Sequence, residues 1–179
     1  MTRVQLEHLI WAAADIADAN DIVIIGSQAI LGQFPDAPAE LLISVEADMT
    51  PKNHPERWEL IDGSIGELSP FHTTFGYYAQ GVEPGTAVLP RGWESRLVPI
   101  SNANTRGAVG LCLDAHDLVV AKAIAGREKD LTFIEAAARH NLVRSSTLLD
   151  RLAETTVDEA RRRAAEQRIR RLSTASQLT

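Results

Sequence analysis

A chain of 179 residues, 45% hydrophobic and only 5% aromatic, can bury one mainly aliphatic core with room for a helical appendage. Its formal net charge of -6 excludes a surface coated in nucleic-acid-binding cations, though a local basic patch stays open. The single cysteine, Cys112, allows no internal disulfide, no stretch approaches the roughly 20 apolar residues of a membrane span, and MTRVQLEHLI lacks an apolar signal core, so a soluble cytoplasmic protein is expected.

Residues 3–19 predict an amphipathic helix, with Val4, Leu9, Ala13, Ile16 and Ala17 on its apolar stripe and Glu7, Asp15 and Asp18 in water. Residues 22–25 are a β-branched run of strand length that stops at Gly26-Ser27. Ala29, Ile30 and Leu31 suit a short helix, and residues 34–38 a loop, because two prolines this close break a helix. Residues 41–48 predict a second strand ending in Glu46 and Asp48. A short helix is expected over 55–62 and a strand over 75–82, followed by a Glu83-Pro84-Gly85-Thr86 turn. Short strands follow at 87–89, 96–100 and 109–113.

From residue 114 the pattern becomes helical. Asp114 is an N-cap candidate, and Gly126 separates two helices within 114–139. Further helices are expected at 145–153 and 156–172, and STASQLT at the end is expected to fray. The expected class is α+β: a small mixed sheet flanked by helices over 1–113, with a helical segment over 114–179 packed on it.

Glu46 and Asp48 carry the first chemical signal. An i, i+2 spacing in a strand puts both carboxylates on one face. There they either share a divalent cation, for which oxygen-only ligands suit Mg2+ or Mn2+, or lie on an exposed strand end. Gly26 and Ser27 carry the second. Unpaired amides at a helix start suit a phosphate, and the Ser27 hydroxyl can bond a phosphate oxygen or cap the helix. The stretch is not a Walker loop, since no Gly-Lys-Ser/Thr follows, and GSQAIL lacks the further glycines of a dinucleotide fingerprint.

A strand, Gly-Ser at a helix start, then two acids one residue apart resembles the signature of the DNA polymerase β-like nucleotidyltransferase superfamily. Within it, IIGSQAILGQFP…LISVEADM and HDLVVAKAIAGREKDLTFIEAAARHNLV resemble the two blocks of the small bacterial DUF6036 nucleotidyltransferase-like family, related to the AbiEii toxin group. The resemblance implies a nucleotidyltransferase fold and Mg2+-dependent transfer of a nucleoside monophosphate from an NTP to a hydroxyl. It implies that Gly26 and Ser27 contact phosphate, that Glu46 and Asp48 are the catalytic metal ligands, and that Lys122, Arg127, Lys129 and Asp130 line the same cleft. Read from residue type alone, Lys122, Arg127 and Lys129 are either phosphate contacts or a salt-bridged helix surface neutralised by Glu128 and Asp130.

Two departures from the superfamily pattern stand out. Glu46 occupies a position usually held by Asp. The strand over 75–82, the natural source of a third carboxylate, offers Gln80, and a glutamine cannot act as a general base. Asp62, Glu67 and Glu83 are the nearest alternatives. His54, His72 and His116 form no metal-spacing pair, Trp58 and Trp93 are core anchors or base-stacking rings, and Cys112 between two leucines reads as a buried thiol. Arg161, Arg162, Arg163, Arg168, Arg170 and Arg171 make the last helix locally basic, either a surface for RNA or an acidic protein partner, or a solvated face. Two functions follow: an NTP-dependent transferase, toxin-like on RNA or protein, or a catalytically impaired module that binds a nucleotide or a partner within a toxin–antitoxin or defence system.

Overall fold

The β-branched run at Asp21–Ile24 forms β1, the middle strand of a five-stranded mixed sheet ordered β3-β2-β1-β5-β4. β2 (Glu46–Pro51) lies antiparallel to β1, and β3 (Tyr78–Gly81) lies parallel to β2 at one edge. On the other side β5 (Val109–Cys112) runs parallel to β1, and β4 (Val98–Ile100) closes that edge antiparallel to β5. The computed structural model describes residues 1–175, and side chains to residue 172. It divides into two units: Met1–Thr86 with Leu97–Leu113, and Ala87–Arg96 with the residues from Asp114 onward. Residues 87–96, expected in the sheet-bearing part, form no strand and group with the helices.

In the first unit, α1 (Arg3–Ala17) and α3 (Trp58–Ile65) pack on one face of the sheet. Leu6, Leu9, Ile10, Ala13 and Ala17 are buried there, with Ile22, Ile24, Ala47, Met49 and Ala79 from the strands. Gly110 and Gly81 let the helices close in, since a Cβ on either would meet Ile10 or the α3 backbone at Trp58. The stripe differs from the expected one. Val4 is exposed and Glu7 is buried, because Glu7 accepts hydrogen bonds from Arg3 (2.8 Å), Asn102 (2.8 Å) and Asn104 (2.7 Å).

β2 begins at Glu46, five residues later than the sequence pattern suggests. Its partner β1 ends where Ser27–Ala29 turns into a 3-10 helix followed by α2 (Ile30–Gln33), so residues before Glu46 have no β1 backbone to pair with. The acids therefore open the strand rather than end it. The short helix expected at 55–62 is a 3-10 turn at Pro55–Arg57 running into α3. Phe75 belongs to an extra helix, α4 (Pro70–Phe75), capped by the Ser69 hydroxyl and ended by left-handed Gly76.

In the second unit, α5 (Ala115–Ala125) is capped by Asp114, which accepts the His116 and Asp117 amides, and ends at Gly126 in the left-handed region. It packs against α6 (Glu128–Arg139), α7 (Ser145–Ala153) and α8 (Glu159–Ala175). α8 runs three residues into the stretch expected to fray, and the rest of that stretch lies outside the described residues. Asp117 is buried between two guanidiniums, bidentate to Arg96 (2.8 and 3.0 Å) and 2.9 Å from Arg151. That contact ties residues 87–96 to the helices.

Candidate functional site

The sheet face opposite α1 and α3 carries the acids. Ala47 and Met49 point into the core, so Glu46 and Asp48, which alternate with them, share the other face. β1 runs into the Gly26-Ser27 turn beside them, with the Ile25 amide donating to the Asp48 carbonyl at 3.1 Å. A Cβ added at Gly26 would stand 1.7 Å from Oδ2 of Asp48, so only glycine lets the turn approach this carboxylate. The N-cap of the turn is Gly26 itself, and no side chain caps it, which removes the capping role considered for Ser27. The helix that follows is short.

The register of β3 completes the face. Tyr78 pairs with Glu46 and Gln80 with Asp48. The Tyr78 hydroxyl donates to Oε2 of Glu46 at 3.0 Å. Burial pushes the Tyr78 phenol up to about 12, and the hydrogen bond to Glu46 and the charges of Glu46, Glu67 and Asp48 push the same way. This concentration of negative charge is what a cation would neutralise. Gln80 is the cross-strand neighbour of Asp48, where a third acid would help. Its amide donates instead to Oδ1 of Asp62 on α3 at 2.7 Å.

The donor set can be weighed against a magnesium ion. Among the described residues no group of three or more His, Cys, Asp or Glu side chains is arranged to hold a metal. Two carboxylates on one face fit a Mg2+ that arrives with a nucleotide and takes its remaining ligands from phosphate and water, and they do not make a closed protein cage. Two observations favour that fit. The glycine-lined approach to Asp48 leaves backbone rather than side chain beside the carboxylate. Thr50, next on the same strand face, has a buried hydroxyl with no hydrogen-bond partner among the described residues. Gln28, one residue beyond Ser27, is also buried. It donates to the Ser44 carbonyl at 3.3 Å, and its Oε1 has no partner among the described residues.

The basic residues of the second block form their own cluster in the helical unit. The Lys122 ammonium lies 3.0 Å from Oδ1 of Asp130 and 4.6 Å from the Phe133 ring centroid, and both Lys122 and Asp130 are buried. Arg127 donates to Asp130 at 2.7 and 3.3 Å from a mostly exposed side chain, and Lys129 is exposed. Burial alone would raise the Asp130 pKa, but hydrogen bonds from Arg127 and Lys122, and their charges, bring it below the usual carboxylate range. Asp130 thus neutralises its neighbours, and it does so in the interior, where the energetic consequence is large.

The tail arginines divide by role. Arg168 donates to the Ala123 carbonyl at 2.6 Å, at the end of α5, and Arg162 donates to the Leu152 and Thr155 carbonyls at the end of α7. These satisfy helix C-termini. Arg163 pairs with Glu159 (2.8 Å) and Arg170 with Glu166 (2.7 Å), so the stretch has more acid compensation than its arginine count suggests.

One residue of this face escaped sequence reasoning. Tyr78 shares the parity of Gln80 along the strand, but only the β2–β3 register places it opposite Glu46. His72, weighed from the sequence only as a histidine without a metal-spacing partner, lies beside it, its ring 4.5 Å from the Tyr78 ring and its Nδ1 accepting the Leu68 amide at 3.1 Å. His116 is structural, accepting the Arg144 amide. Cys112 is fully buried, its thiol pushed up to about 12 by desolvation. No described helix is long and apolar enough to cross a membrane.

No curated protein and no solved structure matches the chain. A family model described as a nucleotidyltransferase of unknown function, DUF6036, matches residues 4–177, nearly the whole sequence. The five-stranded mixed sheet with flanking helices, and the Gly-Ser turn set against an acid pair, agree with that family's expected nucleotidyltransferase-like fold. The chain belongs to the DUF6036 family of nucleotidyltransferases of unknown function.

Proposed function

We propose that the acid pair of β2 receives a nucleoside triphosphate with its Mg2+, and that the chain transfers the nucleoside monophosphate to a hydroxyl acceptor. The observation that carries this reading is the close approach of Gly26 to the Asp48 carboxylate. It brings the backbone of the turn and a carboxylate oxygen to one place. Glu46 and Asp48 would hold the cation, and the Gly26-Ser27 backbone would border the phosphates. When bound, the cation supplies charge neutralisation at the phosphoryl oxygens. In the transfer, the acceptor oxygen forms a bond to the α-phosphorus, the bond from that phosphorus to the bridging oxygen breaks, and pyrophosphate leaves. The acceptor proton departs to a carboxylate of the pair or to water. RNA or a protein hydroxyl is the acceptor class in this reading. Mn2+ would serve in place of Mg2+.

A second reading rests on Gln80. Opposite Asp48 the strand supplies an amide already bonded to Asp62, not a third carboxylate. That favours a chain that binds a nucleotide without transferring it, as one half of a toxin–antitoxin or defence pair. Incubation with α-labelled NTPs, Mg2+ and total RNA or protein separates the two. Label on a macromolecule, lost in Asp48→Asn, supports transfer. Nucleotide binding without any label transfer supports the second reading.

A further inference from the structure

We propose that Tyr78 is the positioning residue for Glu46, making the longer carboxylate of this chain serviceable as a cation ligand. The inference rests on the metal–nucleotide reading of the acid pair and adds a residue that the family match does not assign. A glutamate has one more rotatable bond than an aspartate, and a ligand that must be immobilised on binding gives up affinity. The cross-strand pairing of Glu46 with Tyr78 answers this. The phenol donates to Oε2 at 3.0 Å and fixes the carboxylate before any ligand arrives.

Tyr78 is itself held. Its side chain is buried, 6% exposed, with the His72 ring 4.5 Å from its own. His72 is fixed from both ends of its turn: its amide donates to the Ser69 hydroxyl at 3.1 Å, and its Nδ1 accepts from the Leu68 amide. Leu68 adopts φ +62 to make that bond, a left-handed conformation that an exposed leucine does not adopt without local restraint. From Leu68 through His72 and Tyr78, the contacts end on one oxygen of Glu46. Second-layer bonds of this kind commonly change metal affinity by about 10–100-fold.

The test is a four-variant cycle read by Mn2+ binding. Electron paramagnetic resonance measures Mn2+ bound by wild type, Tyr78→Phe, Glu46→Asp and the double variant, each with ATP, GTP, CTP or UTP. The expected result is a loss of about 10–100-fold in Tyr78→Phe. The same change on Glu46→Asp, whose shorter carboxylate is drawn back from the phenol, should cost far less, as expected for coupled groups. A melting temperature for each variant separates this from unfolding. Equal losses in both backgrounds, or an unchanged affinity in Tyr78→Phe, would overturn the assignment while leaving the nucleotide reading in place. Absence of Mn2+–nucleotide binding by wild type would overturn the nucleotide reading itself and this assignment with it.

Discussion

Gly26 and Asp48 are packed so closely that a single methyl group on the glycine would overlap Oδ2 of the aspartate, at 1.7 Å. Asp48 lies in β2, and Gly26 lies just past the end of β1, where the chain enters a helical turn. The atoms the methyl would meet all belong to the Asp48 side chain, so relief comes first from that side chain. Gly26→Ala must turn the Asp48 carboxylate or push the strands apart. The expected cost is about 1–3 kcal/mol of stability by overpacking, with loss of Mg2+–NTP binding. Thermal denaturation and calorimetric titration check the two effects separately.

The buried Lys122–Asp130 pair predicts an asymmetry. Asp130→Asn leaves an ammonium in the interior with a weakened partner, and Lys122→Met leaves Asp130 leaning on the exposed Arg127. Breaking such a pair from one side costs about 3–5 kcal/mol, and replacing both partners with apolar residues costs much less. Urea denaturation of Lys122→Met, Asp130→Leu and the double variant should show the double more stable than the sum of the singles. Additive losses would mean that the pair is not a unit.

Glu7 predicts a pH dependence. Burial raises its pKa, but the hydrogen bonds from Asn104, Asn102 and Arg3 and the Arg3 charge outweigh it, leaving the pKa below the ordinary 4.5. A carboxylate depressed on folding stabilises the native state above its unfolded pKa and loses that contribution as pH falls through the folded value. Wild type should therefore exceed Glu7→Gln in melting temperature at pH 7. The gap should hold down to about pH 4.5 and close below it. A constant gap across the acid range would assign the effect to packing.

Arg168 and Arg161 should differ although both belong to the same basic helix. Arg168 lies against Gly126 and bonds the carbonyl of Ala123, whereas Arg161 is exposed on the helix face. Arg168→Ala should cost about 1–3 kcal/mol, the range for a charged hydrogen bond with a carbonyl left behind. Arg161→Ala should stay within about 0.5 kcal/mol of wild type. Chemical denaturation distinguishes them.

Local chemistry carried much of the architecture into the sequence. The strand at Asp21–Ile24, the Asp114 cap and the Gly126 break follow from β-branching, a capping oxygen and glycine, all short-range. α4 was also signalled, by Ser69-Pro70 as cap and first turn and by Gly76 as terminator. The strand expected over 75–82 overlapped it only at Phe75, where the aromatic residues of FGYY favour a strand. That Glu46 and Asp48 share a face was legible because the i, i+2 rule suffices for it, whereas the meeting of the Gly-Ser turn with Asp48 depends on the β1–β2 register and was suggested only by the family resemblance. Tyr78 and Asn102 were not, because each matters through a partner fixed only by register or by a contact 95 residues away. The start of β2 was misplaced for the same reason: where a strand begins depends on where its neighbour's backbone is available.

Whether the β2 acids hold a metal–nucleotide is decided by calorimetric titration of Mg2+ with each NTP into wild type and Asp48→Asn. Wild type should bind at least one Mg2+–NTP saturably and none without the metal, and Asp48→Asn should lose that binding at unchanged melting temperature. No binding by wild type, or equal binding by the variant, would contradict the metal–nucleotide reading of the acids.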